Sequence, residues 1–201
     1  TIDNNGILTI LDKSENQTGM VVGVNFMKAD GKLGKGTAIT NETNAECTID
    51  GGMFTREAYL ASEHTVAQGN NHYTVHNKGV MTIAGGKVVN NADVNSLVGN
   101  FGTLNINGGE IEQVTYITVI NKPGAVLNIS GGTITGAPDY SPTSDTVIQG
   151  YGTVNIRGGT INGGSISTWA YDNDTTFGNI VSKMTITGTP TINVEEIRTV
   201  A

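Results

Sequence analysis

The sequence predicts an all-β chain wound as a solenoid, a β-helix of about seven coils, on three observations. First, one short motif recurs seven times along the 201 residues. Second, Gly (28 residues) interrupts segments rich in Ile, Val and Thr, which are typical of short strands joined by tight turns. Third, charged residues form only 14% of the chain, whereas disordered chains combine high charge with few β-branched residues.

The repeated motif is an apolar residue, a polar residue and Ile, and five copies continue with one residue and Gly-Gly. The copies are Leu8-Thr9-Ile10, Cys47-Thr48-Ile49, Met81-Thr82-Ile83, Leu104-Asn105-Ile106, Leu127-Asn128-Ile129, Val154-Asn155-Ile156 and Met184-Thr185-Ile186. Positions 83, 106 and 129 are 23 residues apart, which sets the basic unit. Longer intervals therefore indicate insertions between units.

A unit of two or three short strands buries its apolar side only by stacking on another unit, which is how solenoids form a core. Alternation along each strand directs Leu104 and Ile106 inward and Asn105 outward. The Gly-Gly pair is then the corner at which the chain turns onto the next sheet. Seven coils at a strand spacing of about 4.8 Å predict a rod of about 34 Å. The outward positions form one ladder: Thr9, Thr48, Thr82, Asn105, Asn128, Asn155 and Thr185.

The segments LNISGGTITG (127–136) and VNIRGGTING (154–163) resemble the repeats of right-handed parallel β-helix proteins on the surfaces of Gram-positive bacteria, which have a pectate-lyase-like architecture. The resemblance covers residues 45–190, and it implies a right-handed parallel β-helix located outside the cell, at a bacterial surface. We therefore expect a single β-helix domain over residues 1–201. It comprises irregular coils at 1–45, regular coils at 46–190 and a C-terminal cap at 191–201.

The charge and hydropathy of the chain disfavour some classes of binding partner. The formal net charge of -7 would repel the phosphate backbone of a nucleic acid, and also anionic polysaccharides unless a cation intervened. No apolar run reaches 18 residues, so we expect no membrane insertion. Cys47 is the single cysteine, which excludes an intrachain disulfide.

Function on a solenoid is usually carried by insertions between coils, here expected at 55–76, 136–145 and 167–179. In the last of these, Trp169, Tyr171, Asp172 and Asp174 combine rings that can stack on a sugar with carboxylates that can bind its hydroxyls. Tyr140, beside Asp139 in the second insertion, is a candidate of the same kind. The alternative is that Trp169 covers the end of the core as packing.

Metal sites are weaker hypotheses, and we expect neither a metal nor another cofactor. Asp172 and Asp174 could supply oxygens to Ca²⁺, but Lys183 stands where an EF-hand loop would place its glutamate. Three histidines, His64, His72 and His76, fall in the first insertion, yet the segment around the last two is typical of a turn and a strand rather than of a zinc-chelating helix.

A catalytic hypothesis rests on the strand after Gly108-Gly109. Glu110 and Glu112 both point outward, about 7 Å apart along the strand, which could suit an inverting glycoside hydrolase. Stacking places Lys87 beside Glu110 on one neighbouring coil and Thr133 on the other. The same lysine could assist a lyase, or it could form an ordinary cross-strand ion pair.

These observations favour a non-catalytic surface or adhesion module that contacts a glycan or a protein ligand. The chain lacks the clustered aspartates and paired basic residues of pectate lyases, which disfavours an enzyme without excluding one. The alternatives are a polysaccharide lyase or glycoside hydrolase, including a phage tailspike-like depolymerase, and a purely structural stalk. An ice-binding face built on the Thr and Asn ladder is less favoured, because the ladder changes residue type midway.

Overall fold

The fold is taken from a computed structural model that describes residues 1–24, 26–27, 33–34, 36–56, 73–90, 96–113, 116–136, 146–174 and 178–200. For residues 26–27, 33–34, 171–174, 178–180 and 200 the description covers the backbone alone.

Within these ranges the secondary structure consists of 26 short strands. The first ten are β1 (Ile2–Asn4), β2 (Ile7–Leu11), β3 (Met20–Gly23), β4 (Phe26–Met27), β5 (Leu33–Gly34), β6 (Ile39–Asn41), β7 (Glu46–Asp50), β8 (Met53–Arg56), β9 (Val75–Asn77) and β10 (Val80–Ile83). The next eight are β11 (Lys87–Asn90), β12 (Val98–Asn100), β13 (Thr103–Ile106), β14 (Glu110–Gln113), β15 (Val119–Asn121), β16 (Val126–Ile129), β17 (Thr133–Thr135) and β18 (Thr146–Gly150). The last eight are β19 (Thr153–Ile156), β20 (Thr160–Asn162), β21 (Ser165–Trp169), β22 (Tyr171–Asp174), β23 (Gly178–Ile180), β24 (Lys183–Ile186), β25 (Thr191–Asn193) and β26 (Glu196–Val200).

These strands form three long parallel sheets, and the chain enters them in turn. Sheet A has the order β1-β6-β9-β12-β15-β18-β21-β26, sheet B has β2-β7-β10-β13-β16-β19-β24, and sheet C has β3-β8-β11-β14-β17-β20-β25. Each coil gives one strand to A, then B, then C, so the chain is a right-handed parallel β-helix of about seven coils, as the sequence predicts. The antiparallel pairs β4-β5 and β22-β23 lie outside the coils. The segment expected as a C-terminal cap supplies β25 and β26 to sheets C and A.

The seven motif copies are the strands of sheet B, paired in one unbroken register. Leu104 lies opposite Met81 on one side and Leu127 on the other, and Asn105 lies opposite Thr82 and Asn128. Outside, the amide groups form a chain in which Asn128 Nδ2 donates to Asn105 Oδ1 at 2.9 Å. The stacking of coils predicted from the repeat is therefore correct.

The core is a column of aliphatic ladders enclosed by the three sheets, because alternate residues of every strand point inward. Its members include Ile39, Val75, Val98, Val119, Ile148 and Ile166 from sheet A, Ile49, Ile83, Leu104, Ile106, Leu127 and Ile129 from sheet B, and Phe54, Val88, Ile111, Ile134 and Ile161 from sheet C.

The corner between sheets B and C depends on glycine for two reasons. Gly109 has a positive φ of 78°, which residues with a side chain rarely adopt. A Cβ at this position would also lie 2.8 Å from the carbonyl oxygen of Gly86 in the preceding coil. The recurring Gly-Gly pair therefore allows both the turn and the close stacking of successive coils.

A second ladder, of buried asparagines, lies at the end of the sheet A strands, inside the coil. Asn4, Asn41, Asn77, Asn100 and Asn121 are linked by amide hydrogen bonds of 2.7 to 2.9 Å from each Nδ2 to the next Oδ1. Each amide also donates to a main-chain carbonyl where the chain enters sheet B, such as that of Thr103, 2.9 Å from Asn77 Nδ2. The sequence indicates only that these strands end in a turn.

Candidate functional site

One outward row of side chains runs along the edge of sheet A, one residue beyond an inward position of its strands. That inward position holds a buried asparagine for the first four members of the row, and Gly150 and Thr168 for the last two. Its backbone is held coil to coil, since the amides of Phe101 and Tyr151 each donate to the asparagine carbonyl of the preceding coil at 2.7 Å. We call this line the corner row. Its members are Glu42, Lys78, Phe101, Lys122, Tyr151 and Trp169.

The local sequence explains why two of these side chains point outward. Lys78 and Phe101 each stand between an inward asparagine and a glycine, in the pattern Asn-x-Gly. The asparagine side chain points inward and is hydrogen-bonded in the buried ladder, and the glycine packs against main-chain atoms of the preceding coil. The central residue is therefore the one directed toward solvent at this corner.

The first end of the corner row is an ion pair. Lys78 Nζ lies 2.8 and 2.9 Å from the two carboxylate oxygens of Glu42. The hydrogen bond from Lys78 lowers the pKa of Glu42 below its ordinary value, and the nearby positive charge adds to this effect. These two charges therefore neutralise one another.

The other end of the corner row is aromatic. Tyr151 and Trp169 stack with ring centroids 6.1 Å apart and planes inclined by 25°. Lys122 Nζ lies 5.8 Å from the ring centroid of Phe101 and 5.9 Å from that of Tyr151. Burial lowers the pKa of Lys122. Along one line the structure thus presents a ring, an ammonium group and a stacked pair of rings.

A smaller apolar cluster on the outer face of sheet A supports this line. Tyr73 is 2% exposed, and its ring lies directly over the backbone of Gly99, where a Cβ would meet ring carbons at 2.5 Å. Phe101 packs edge-on against Tyr73 and His76, with centroid distances of 5.8 and 4.9 Å. Phe101 is consequently fixed from behind while 39% of it remains exposed.

Among the residues expected to bind ligand, Trp169 has a described side chain in the corner row. The insertion that was expected to carry it starts later than predicted, because Ser167 and Thr168 are buried residues of β21 and Trp169 ends that strand. Tyr171, Asp172 and Asp174 belong to β22, and their side chains lie outside the description.

Two further expected contributors lie outside the described residues altogether, namely Tyr140 and its neighbour Asp139. Conversely, sequence reasoning missed Phe101, Lys122 and Tyr151. The signal that could have found them is their place immediately after the residue that ends each sheet A strand.

The proposed catalytic group forms a surface ion cluster. The register pairs Lys87 with Glu110 and Glu110 with Thr133, as expected from stacking. Lys87 Nζ lies 2.9 Å from Glu112 and 3.4 Å from Glu110, and the two glutamate side chains are 41% and 65% exposed. Exposed pairs of this kind contribute about 0.2–1 kcal/mol each.

The chemistry open to this cluster is limited by the lysine. Hydrogen bonding to Glu112 raises the pKa of Lys87, so the amine stays protonated and does not act as a base near neutral pH. A groove of ≈ 560 Å³ beside it is lined by Lys87, Glu110, Gln17 and the corner glycines. Glu112 does not line this groove.

The described residues contain no group of three or more His, Cys, Asp or Glu side chains placed to hold a metal ion. His64 and His72 lie outside the description, whereas His76 packs against Phe101 and Tyr73. Within the same described ranges, there is no helix with the length and apolar character needed to cross a membrane.

A comparison of the chain with protein-family models, with curated proteins and with solved structures found no match.

Proposed function

We propose that the chain is a non-catalytic binding module of an extracellular bacterial surface, and that it contacts glycans through the corner row. The observation that carries this proposal is the stacked pair of Tyr151 and Trp169 at the edge of sheet A. Sugars present flat C–H faces, and an aromatic ring offers the complementary apolar surface beside a polar tip.

Rigid placement supports a role in binding. Trp169 is the last residue of β21, and the main-chain amide of Tyr151 is bound to the preceding coil. Rings positioned by strands lose little conformational freedom when a ligand arrives, which favours affinity. The corner row runs from coil to coil, so an elongated ligand lying along the solenoid would contact several of its members.

The ion cluster on sheet C gives less support to an enzyme. Both glutamates contact the same protonated lysine, and all three groups are accessible to solvent. A glycoside hydrolase needs one carboxyl to deliver a proton and the other to act on the sugar or on water. Two carboxylates held by a shared ammonium group do not show this division of roles.

A glycan array tests the proposal with three matched variants. Trp169→Ala removes the ring, Trp169→Phe keeps a ring, and Val80→Ala removes an exposed apolar side chain from sheet B. We expect about tenfold weaker binding for Trp169→Ala, corresponding to about 1.4 kcal/mol, and near-normal binding for the other two. Failure of the unmodified chain to bind any glycan would contradict the proposal and direct attention to protein ligands.

A further inference from the structure

The two lysines of the corner row are in different electrostatic states. Lys78 donates to both carboxylate oxygens of Glu42, at 2.8 and 2.9 Å. Lys122 makes neither a hydrogen bond nor a salt bridge to any side chain in the described part of the chain, and its contacts there are the ring faces of Phe101 and Tyr151. Among the described residues, one ammonium group of the row is therefore paired with a carboxylate and the other is not.

The surroundings of Lys122 compensate its charge only weakly. An ammonium group carries three donors and normally keeps them hydrated or paired. Ring faces at 5.8 and 5.9 Å stand at the outer limit of a cation–π interaction. The side chain is half-buried, so part of its hydration is already lost in the free protein. An anion that reached this ammonium group would complete its contacts at a reduced desolvation cost.

We propose that Lys122 is an anion subsite of the corner row, and that the ligand is a glycan carrying an isolated carboxylate or sulfate group. This inference rests on the proposed function, because it assigns the sugar face to the rings of Tyr151 and Trp169. Ammonium and carboxylate or sulfate oxygens form charge-assisted hydrogen bonds, which are about twice as strong as neutral ones.

The order of residues along the row fits a single ligand. Lys122 lies between Phe101 and Tyr151, and Tyr151 lies between Lys122 and Trp169. Adjacent coils are about 4.8 Å apart, so the ammonium group and the stacked rings are separated by distances within the size of one or two sugar units. A sugar packed on Trp169 would therefore bring an acidic substituent, on the same or the next sugar unit, to Lys122.

The charge distribution favours an isolated acidic group over a polyanion. The corner row contains one carboxylate and two ammonium groups, which leaves a single positive charge. The chain as a whole carries a net charge of -7, which repels a ligand with many negative charges. One acidic substituent on an otherwise neutral glycan gains the contact with Lys122 and meets little of this repulsion.

Paired probes test this assignment directly. We would measure binding of an oligosaccharide that ends in glucuronic acid and of the same oligosaccharide ending in glucose, with a sulfated-glucose form to compare the two anions. The unmodified chain is expected to bind the acidic forms about tenfold more tightly, the factor that one charge-assisted hydrogen bond typically provides. Lys122→Gln should abolish this preference and leave binding of the neutral form unchanged, whereas Lys122→Arg should retain the preference.

The double variant Glu42→Gln with Lys78→Gln is the matched control, because it removes the neighbouring ion pair without changing the net charge. It should keep the preference for the acidic probe. Equal binding of acidic and neutral probes by the unmodified chain, or a preserved preference in Lys122→Gln, would overturn the anion subsite while leaving glycan binding intact. Trp169→Ala should weaken binding of the acidic and the neutral probe alike, which would support one shared site. If the unmodified chain bound none of the probes, the proposed function itself would be contradicted.

Discussion

Replacing Asn100 by alanine should destabilise the β-helix far more than the same change outside the coil. Asn100 is 0% exposed. Its Nδ2 donates to Asn121 Oδ1 at 2.7 Å and to the Val126 carbonyl at 2.9 Å, and its Oδ1 accepts from Asn77 Nδ2 at 2.8 Å. Alanine removes these three hydrogen bonds, together with two longer ones of 3.2 and 3.3 Å that join the side chain to the backbone of Gly102, and leaves their partners inside the solenoid without water.

The magnitude follows from those contacts. Each lost hydrogen bond costs about 1 kcal/mol, and a buried group left unpaired raises this to about 1–3 kcal/mol, so we expect a loss of about 3–5 kcal/mol. Asn105→Ala is the control, because Asn105 belongs to the outer ladder and is half-buried. Its bonds to Thr82 and Asn128 can be replaced by water, so the expected cost is below about 1 kcal/mol.

Urea denaturation followed by circular dichroism and by fluorescence of Trp169 measures both variants. The slope of the unfolding free energy against urea concentration should be the same for all variants. A constant slope would show that the substitutions change stability and not the compactness of the folded or unfolded chain. A difference of less than about 1 kcal/mol between the two variants would refute the argument that the inner ladder stabilises the coils through buried hydrogen bonds.

Three further results are expected. Gly109→Ala should lower the melting temperature more than Gly124→Ala does. Both glycines have φ of 78°, but only at Gly109 would the new Cβ meet the preceding coil. Equal decreases in melting temperature would contradict this steric argument. Burial raises the pKa of Cys47 to about 11, so a thiol reagent at pH 8 should modify it only after denaturation, and rapid labelling of the folded chain would count against its placement in the core. The lowered pKa of Glu42 stabilises the folded chain above the ordinary glutamate value of 4.5 and loses this effect as pH falls through the lowered value. NMR titration should show the pKa of Glu42 returning toward 4.5 in Lys78→Gln, and an unchanged pKa would exclude the ion pair as its cause.

Strict alternation and a recurring motif make the sheet B strands predictable, although the intervals between copies differ. Leu104 and Ile106 must face the same side, and their spacing from the equivalent residues of other copies determines which coils stack on each other. The same reasoning places Lys87 beside Glu110. The strand positions and their stacking register depend only on the local pattern of residues, so they can be predicted from a single sequence.

The candidate site cannot be predicted from the repeat pattern, because it depends on contacts between residues of different coils. Asn77 and Asn100 resemble ordinary turn residues in the sequence, and only the closed coil shows that their side chains bond to one another inside it. The outward direction of Lys78 and Phe101 follows from that inner ladder, since each stands directly after one of its asparagines. Trp169 was expected in a loop because polar residues surround it, but in sheet A Ser167 and Thr168 are buried strand residues.

The corners of the coil differ in the length of chain they accept. Between sheets B and C, four successive coils use three residues each, at 84–86, 107–109, 130–132 and 157–159. Between sheet C and the next strand of sheet A, the connections are 24–38, 57–74, 91–97, 114–118, 136–145, 163–164 and 194–195. Parallel pairing continues across all of them, as in Val75 opposite Val98.

This difference makes the β-helix a scaffold for presenting foreign peptides. A sequence grafted between sheets C and A would leave the neighbouring register unchanged, since connections of 2 to 18 residues already do so in this chain. Peptides grafted into successive coils would project from the β-helix along one line, with a spacing of about 4.8 Å per coil. Several epitopes could thus be arrayed at a defined spacing by choosing which coils receive them.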